Sequence, residues 1–388
     1  MKNLFLVIRF LTGALFVFSG LVKLNDPSGF SIKLDEYFDV FSQDLPNLDA
    51  LFTALKEYSV ILSGSFCALE VLLGIAMLVG WRIRFTLTIT TLLIVFFTFL
   101  TGYSAIYNKV TDCGCFGDFI HLEPWDSFKK DIILLVFVLI LISGIKFNTL
   151  LFKEKWVNFT MIISTIGTAF FGLYCYFYLP VWDFLPYKIG NNIDQIMNHI
   201  PPGERATDSV EIRFVMVKGQ DSVKATTSQY LGFSENGYKF VRQDRKVIIK
   251  GYKNPIHDFA IHDLTNQIDH KDSFLKFNGY QLVFISPFLS KVNTGCLKSI
   301  NELKQWFLSQ SEIKTKFYAL SSASTEASVE FKTKHQLNFD FFAADQKMLM
   351  TMARYNPTLY LFNGATVINK WSGNNIPGKK DIEKLIQP

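Results

Sequence analysis

Leu4-Phe5-Leu6-Val7-Ile8-Arg9-Phe10-Leu11-Thr12-Gly13-Ala14-Leu15-Phe16-Val17-Phe18-Ser19-Gly20-Leu21-Val22-Lys23-Leu24 decides the fold. The run matches the roughly 20 residues that a helix needs to cross hydrocarbon. It has no small-x-small cleavage site and keeps Lys23 at its end, so it reads as a retained membrane helix. Four more apolar runs follow, over residues 60–80, 85–103, 131–147 and 156–179. The fourth is short and borrows length from Leu150-Leu151-Phe152. Five spans are therefore expected.

Composition agrees. The 388 residues, enough for two or three domains, are 49% hydrophobic and only 19% charged, with 39 Phe, and the apolar residues crowd before Leu185. A net charge of +5 without a dense basic block argues against nucleic acid as a partner. Five cysteines do not make a disulfide scaffold.

Basic residues set the expected orientation. Lys2 and Arg9, the turn Gly80-Trp81-Arg82-Ile83-Arg84, and Lys146, Lys153 and Lys155 fall on one side, taken as cytoplasmic. The opposite loops hold Lys33, Lys56, Lys109, Lys129 and Lys130, accompanied by acids such as Asp35, Glu36, Asp39 and Asp44. A cytoplasmic N-terminus then places everything after Leu179 outside, in the cytoplasmic (inner) membrane's extracytoplasmic space.

Between the third and fourth runs lies Thr111-Asp112-Cys113-Gly114-Cys115-Phe116-Gly117-Asp118. Cysteines spaced i, i+2 close only a small strained ring, and strain favours reduction. Gly114 lets the backbone turn between them. Three readings stay open: a thiol-exchange pair, a static disulfide clamp, and half a metal site completed by Asp112, Asp118 or His121. The first leads, and no metal is expected.

Glu70 stands in the middle of the second run, in Cys67-Ala68-Leu69-Glu70-Val71-Leu72-Leu73-Gly74. A carboxylate at that depth normally faces a partner. Lys23, Arg9 and the hydroxyls of Thr12 and Ser19 are the candidates. Cys67 shares its helix face, so Cys67 and Glu70 read either as a thiol or proton relay below the loop or as a packing clamp beside an inert thiol. Cys175 reads as a small apolar residue.

The first run, with its Ser19-Gly20-Leu21-Val22-Lys23 ending, resembles the opening of the DoxX family. Glu70 with Gly74, and Cys113-Gly114-Cys115-Phe116-Gly117, are similar to the MauE branch of that group. The resemblance covers about residues 1–150. It implies a four-helix membrane domain associated with disulfide formation in exported partners.

Residues 151–185 then supply the fifth transmembrane helix, and residues 186–250 a β-rich extracytoplasmic connector. Glu211 to Lys218 alternates as a half-buried strand, and two short strands are expected within residues 238–252. Residues 251–388 resemble a periplasmic thioredoxin-like domain. Gly251-Tyr252-Lys253-Asn254-Pro255 looks like its leading segment, and Gln281-Leu282-Val283-Phe284-Ile285-Ser286 is its apolar strand. The helix from Cys296 to Phe307 carries an apolar face, and Asn356-Pro357-Thr358 resembles the cis-proline strand.

The departure matters here. Asn293-Thr294-Gly295-Cys296 stands where a working site has Cys-x-x-Cys, so the attacking thiol is replaced by Asn293. Cys296 is left as an accessory thiol at most, and Asn293 doubles as a helix N-cap. Pro357, Thr358 and Asn293 are expected to line a partner-binding groove.

The expected fold is therefore a membrane α-helical bundle, four-helix DoxX-like plus a fifth transmembrane helix, with an extracytoplasmic α/β thioredoxin-like domain. The expected function is thiol–disulfide exchange or maturation of exported proteins. Cys113 and Cys115 form the redox pair, Cys67 and Glu70 the relay, and Cys296 the accessory thiol. The alternative is a non-enzymatic assembly, chaperone or scaffold subunit of a membrane protein complex. No cofactor motif is evident, and a quinone is the candidate electron carrier.

Overall fold

The computed structural model describes residues 2–386 apart from 108, 111–113, 121, 148–149, 206–208, 220, 227–228, 250, 253 and 267. The chain divides into two compact units, Met1–Gly190 with Ala260–Pro388, and Asn191–Phe259.

Seven helices open the first unit: α1 (Lys2–Asn25), α2 (Pro27–Asp44), α3 (Asp49–Glu57), α4 (Ser59–Val79), α5 (Ile83–Tyr107), α6 (Pro124–Ser143) and α7 (Glu154–Phe177). Glycines set the α1–α4 contact. A Cβ on Gly74 would come 2.7 Å from the Gly13 carbonyl oxygen, and one on Gly20 would come 2.8 Å from the Val71 nitrogen. Small residues let two membrane helices touch backbone to backbone, where packing replaces the hydrophobic drive that lipid removes. That approach brings the Lys23 end of α1 beside the middle of α4.

Helix α2 is amphipathic rather than spanning. Asp26 caps it by accepting from the Gly29 amide at 2.8 Å, Pro27 starts it, and Phe30, Leu34, Tyr37 and Phe41 make one buried face. Helix α4 ends at Gly80 in the left-handed conformation, so the 80–84 turn forms as its sequence suggests.

Among the described residues, α1 (from Asn3), α4, α5 and α7 are long and apolar enough to cross a membrane. This is a multi-pass membrane architecture. Helix α6 carries Asp126, Lys129, Lys130 and Asp131 in its first turns, so its apolar run is shorter than the others. Large apolar side chains such as Leu92, Phe99, Ile166 and Phe170 face outward, as lipid contact requires.

The second unit holds α8 (Ile193–Asn198), β1 (Ser209–Lys218), β2 (Asp221–Thr226), α9 (Tyr230–Glu235) and β3 (Lys239–Ile249). Its antiparallel sheet runs β2-β1-β3. The two short strands expected within 238–252 are one strand, and β2, whose polar Asp221-Ser222 start hides its alternation, was not anticipated. Asn254 ties the end of α8 by donating to the Ile196 and Met197 carbonyls at 2.6 and 2.9 Å.

The rest of the first unit is α/β: β4 (His262–Asp263), α10 (Lys271–Leu275), β5 (Tyr280–Ser286), α11 (Leu297–Leu308), β6 (Thr315–Ser321), α12 (Thr325–Lys334), β7 (Phe342–Ala343), α13 (Gln346–Met352), β8 (Thr358–Asn363), β9 (Thr366–Ser372) and α14 (Lys379–Ile386). The sheet order is β4-β7-β6-β5-β8-β9. β5, β6 and β7 pair in parallel, while β8 and β9 add an antiparallel hairpin. Leu282 and Phe284 of β5 pack with Ile300 and Phe307 of α11 and with Phe339. A strand buried on both faces explains why residues 282–285 read as a continuous apolar run.

Candidate functional site

The site begins where α1 touches α4. Lys23 and Glu70 form a buried ion pair, their side chains 3% and 7% exposed. Of the partners open to Glu70, geometry selects Lys23. Phe97 and Phe30 flank the ammonium, with ring centroids 4.8 and 5.3 Å from Nζ. Two charges this deep are tolerable only because each answers the other.

The Cys-Gly-Cys loop closes one end of this pair. Gly114 adopts φ +62°, the left-handed region that suits glycine, and a Cβ there would come 3.1 Å from the Lys33 side chain. Ser19 on α1 donates from its hydroxyl to the Cys115 carbonyl at 2.9 Å, fixing the loop to the helix. Cys115 is a half-buried free thiol. Cys113, Asp112 and His121 lie outside the described residues. Asp118, the third metal-ligand candidate, is engaged elsewhere, as described below.

Helix α6 supplies a second ion pair, braced from α5. Lys130 Nζ lies 2.9 Å from Asp131, and Thr101 on α5 donates to the other Asp131 oxygen at 3.0 Å. Lys130 Nζ also stands 5.1 Å from the centre of the Phe116 ring, next in sequence to Cys115. Ser127, one turn earlier, is fully buried, with its side chain within hydrogen-bonding reach of the Cys115 sulfur.

These groups share one cavity. It is narrow, about 30 Å³, and Cys115, Ser19, Lys23, Glu70, Lys130 and Asp131 stand on its wall. Such a volume admits a water molecule or two. The protein around its sulfur pushes the Cys115 thiol up from its ordinary range, while the Lys130 ammonium pulls the other way.

Cys67 is placed differently. It is fully buried in an apolar cluster with Leu24, Phe30, Leu34 and Val71, and it does not line the cavity. Cys175 is likewise buried.

A third charged cluster joins the α/β part to the loop. Arg354, between α13 and β8, is 5% exposed at its side chain and reaches Asp26 and Asp118, each at 2.7 Å. Burial works against its charge, but Asp26 and Asp118 more than offset this, and its pKa is raised. Ser28 donates to the Arg354 carbonyl at 2.9 Å. The same face makes further ties. Asn374 donates to the Phe177 carbonyl at the end of α7 (2.7 Å), Lys370 meets Asp183 at 2.5 Å, and Asn25 bonds both backbone groups of Trp182.

The remaining candidates are on that face. Asn293 accepts from the Gly295 amide at 3.0 Å and donates to Tyr355 and Asn374 at 3.2 and 2.8 Å. The Asn356–Pro357 peptide is cis. Pro357 and Thr358 are buried, and the Thr358 hydroxyl donates to the Tyr355 carbonyl at 2.7 Å, so neither presents an open surface. Cys296 is 6% exposed, its Sγ 3.1 Å from the Asn293 carbonyl, and burial pushes its thiol up to about 11.

Sequence reasoning named Cys115 and Glu70 as candidates and Lys23 as one of four possible partners; the structure sets Cys115 and Glu70 on one cavity wall and pairs Glu70 with Lys23. Sequence reasoning missed Ser127, Lys130, Asp131, Asp26 and Arg354. Lys130 was counted only as a loop charge. The available signal was the adjacent Lys130-Asp131 pair directly ahead of an apolar run, a place where charges either reach the interface or pair inward.

Residues 1–145 match the family model of the methylamine utilisation protein MauE. No curated protein matches the chain.

Proposed function

We propose that this chain is an integral membrane protein of thiol–disulfide exchange, in which Cys113 and Cys115 trade electrons with exported proteins. The observation that carries the reading is the position of Cys115 on a cavity wall lined by one buried and one partly buried ion pair. Exchange creates and discharges thiolates, so it needs charge and proton partners beside the sulfur. A purely structural bridge has no use for them. The match of the first 145 residues to MauE supports a membrane accessory role beside another protein system.

Five spans with a cytoplasmic N-terminus complete the proposal. Helix α6 is the fifth span despite its charged start. Its far end reaches the N-terminal end of α1, where Phe147 stacks on Phe5 at 5.2 Å, while the loop ahead of it meets Ser19. It therefore runs along most of α1. The positive-inside bias then puts Cys115 and the α/β part outside, on the disulfide-permissive side.

In this reading the α/β part is a thioredoxin-like domain without a working Cys-x-x-Cys. The strand order, the cis Asn356–Pro357 peptide and the Asn293-to-Cys296 turn ahead of α11 support it. Its proline face is turned onto the membrane part, which makes it a docked cap. The exchange itself requires no cofactor, and a membrane quinone is the candidate for reoxidation.

The second reading is a non-enzymatic assembly or scaffold subunit. The replacement of a thiol by Asn293 and the Arg354 clamp favour it. Differential thiol trapping of Cys113 and Cys115 in native membranes separates the two. A mixed population that follows growth conditions supports exchange; a permanently closed bridge supports the scaffold.

A further inference from the structure

We infer that Lys130 and Ser127 are the charge-balancing and hydrogen-bonding partners of Cys115, stabilising the negative charge that thiol exchange releases on its sulfur. The inference deepens the exchange reading and rests on it.

The argument starts from a mismatch. Cys115 is half-buried, and its surroundings oppose a charge on sulfur. Yet any exchange through a Cys113–Cys115 bridge must place charge on one of the two sulfurs. A client thiolate attacks the Cys113 sulfur, the bridge S–S bond breaks, and a new S–S bond joins client to Cys113. The electron pair of the broken bond leaves on Cys115. The client sulfur is oxidised, Cys115 is reduced, and no outside oxidant is required. A poorly solvated thiolate is a poor leaving group unless a cation and a donor stand ready.

The structure supplies both. Lys130 is the foremost charge acting on the Cys115 sulfur, and it faces the same cavity. Its partner Asp131 is held by Thr101, so the lysine head is oriented rather than free to swing. Asp131 is thus a positioning residue. Ser127 is fully buried one turn ahead of Lys130, and its side chain stands within hydrogen-bonding reach of the Cys115 sulfur. A Cys115 thiolate is the acceptor its hydroxyl can serve. After bond breakage the Lys130 ammonium, held beside Asp131, balances the Cys115 thiolate, which then takes a proton from solvent. In the reverse direction the Cys115 proton leaves to solvent, and the ammonium holds the thiolate that remains. Lys23, the other cation of the cavity, is already committed to Glu70.

The test uses the full-length protein in nanodiscs with Cys67→Ala, Cys113→Ala, Cys175→Ala and Cys296→Ala, leaving Cys115 as the sole thiol. Its rate of alkylation by iodoacetamide is followed against pH. Lys130→Met should shift the rate midpoint upward by about one pH unit or more, and slow labelling near pH 7.5 about tenfold. Lys130→Arg should restore most of the rate, and Ser127→Ala should give a smaller upward shift. An unchanged midpoint in folded Lys130→Met overturns the inference. If that variant does not accumulate, Lys130→Gln and Ser127→Ala decide: a midpoint that moves with neither rejects it. Failure of the exchange reading looks different. There the midpoint still moves with Lys130, but neither Cys113→Ser nor Cys115→Ser, with all other cysteines intact, captures a client.

Discussion

Arg354 Nη2 donates to Asp118 at 2.7 Å, and Asp118 stands three residues from Cys115. The α/β part thus holds the thiol loop directly, and through Asp26 it holds the end of α1 as well. One buried guanidinium holds two segments of the membrane part. Its planar fork suits two carboxylates in a way an ammonium does not.

Removing that fork should be costly. Arg354→Met strands two carboxylates and is expected to destabilise the docked arrangement by about 3–5 kcal/mol, the range for breaking a buried pair. Arg354→Lys should rescue little, because one point charge cannot satisfy both carboxylates. Thermal unfolding and limited proteolysis of the full chain check this. Wild-type behaviour in Arg354→Met would show that the contact contributes nothing.

The Lys23–Glu70 pair should show strong coupling. Lys23→Met leaves a buried carboxylate without its cation, and Glu70→Gln leaves the cation alone. Each is expected to cost a few kcal/mol, roughly 3–5. The double variant should be less damaged than the sum of the two. Additive losses in detergent-phase melting would mean that the residues do not act as a pair.

Much of this arrangement was legible in the sequence. Four apolar spans follow from run length and Glu70 from a charge inside such a run, while Lys23 is one of four candidate partners in the sequence until Gly20 and Gly74, whose missing side chains bring α1 and α4 together, select it. The α11 turn was legible because Asn293 is a good cap. Other features were not legible. Arg354 lies between two short elements, and no periodicity says that it will fold back on residues 26 and 118. Thr358 reads as a groove residue until packing buries it. β2 lacks the apolar alternation by which a strand announces itself.

Cys296 provides a pH prediction. Burial raises its thiol from 9.0 to about 11. The thiolate is the reactive form, so near pH 8 it should hold about a hundredfold less thiolate than an unperturbed thiol. Alkylation of Cys296 in the folded chain should be slow at that pH and accelerate as pH approaches 11. Fast labelling at pH 7 would show that it is a reactive accessory thiol.

Topology should follow the α6 path. A reporter fused after Pro388 is expected to be active only outside the cytoplasm, as is one placed in the loop between α5 and α6. Cytoplasmic activity at either position would overturn both the five-span arrangement and the siting of the thiols.

The most direct measurement of the central claim is capture of a client through the loop. Cys115→Ser leaves Cys113 without its resolving partner, and Cys113→Ser leaves Cys115. Membranes from both variants are quenched in acid, alkylated and run without reductant. The account expects at least one variant to carry a reductant-sensitive adduct with an exported protein, absent from the Cys113→Ser, Cys115→Ser double variant. No adduct in either single variant, with normal abundance and full function in both, would contradict thiol exchange at this loop.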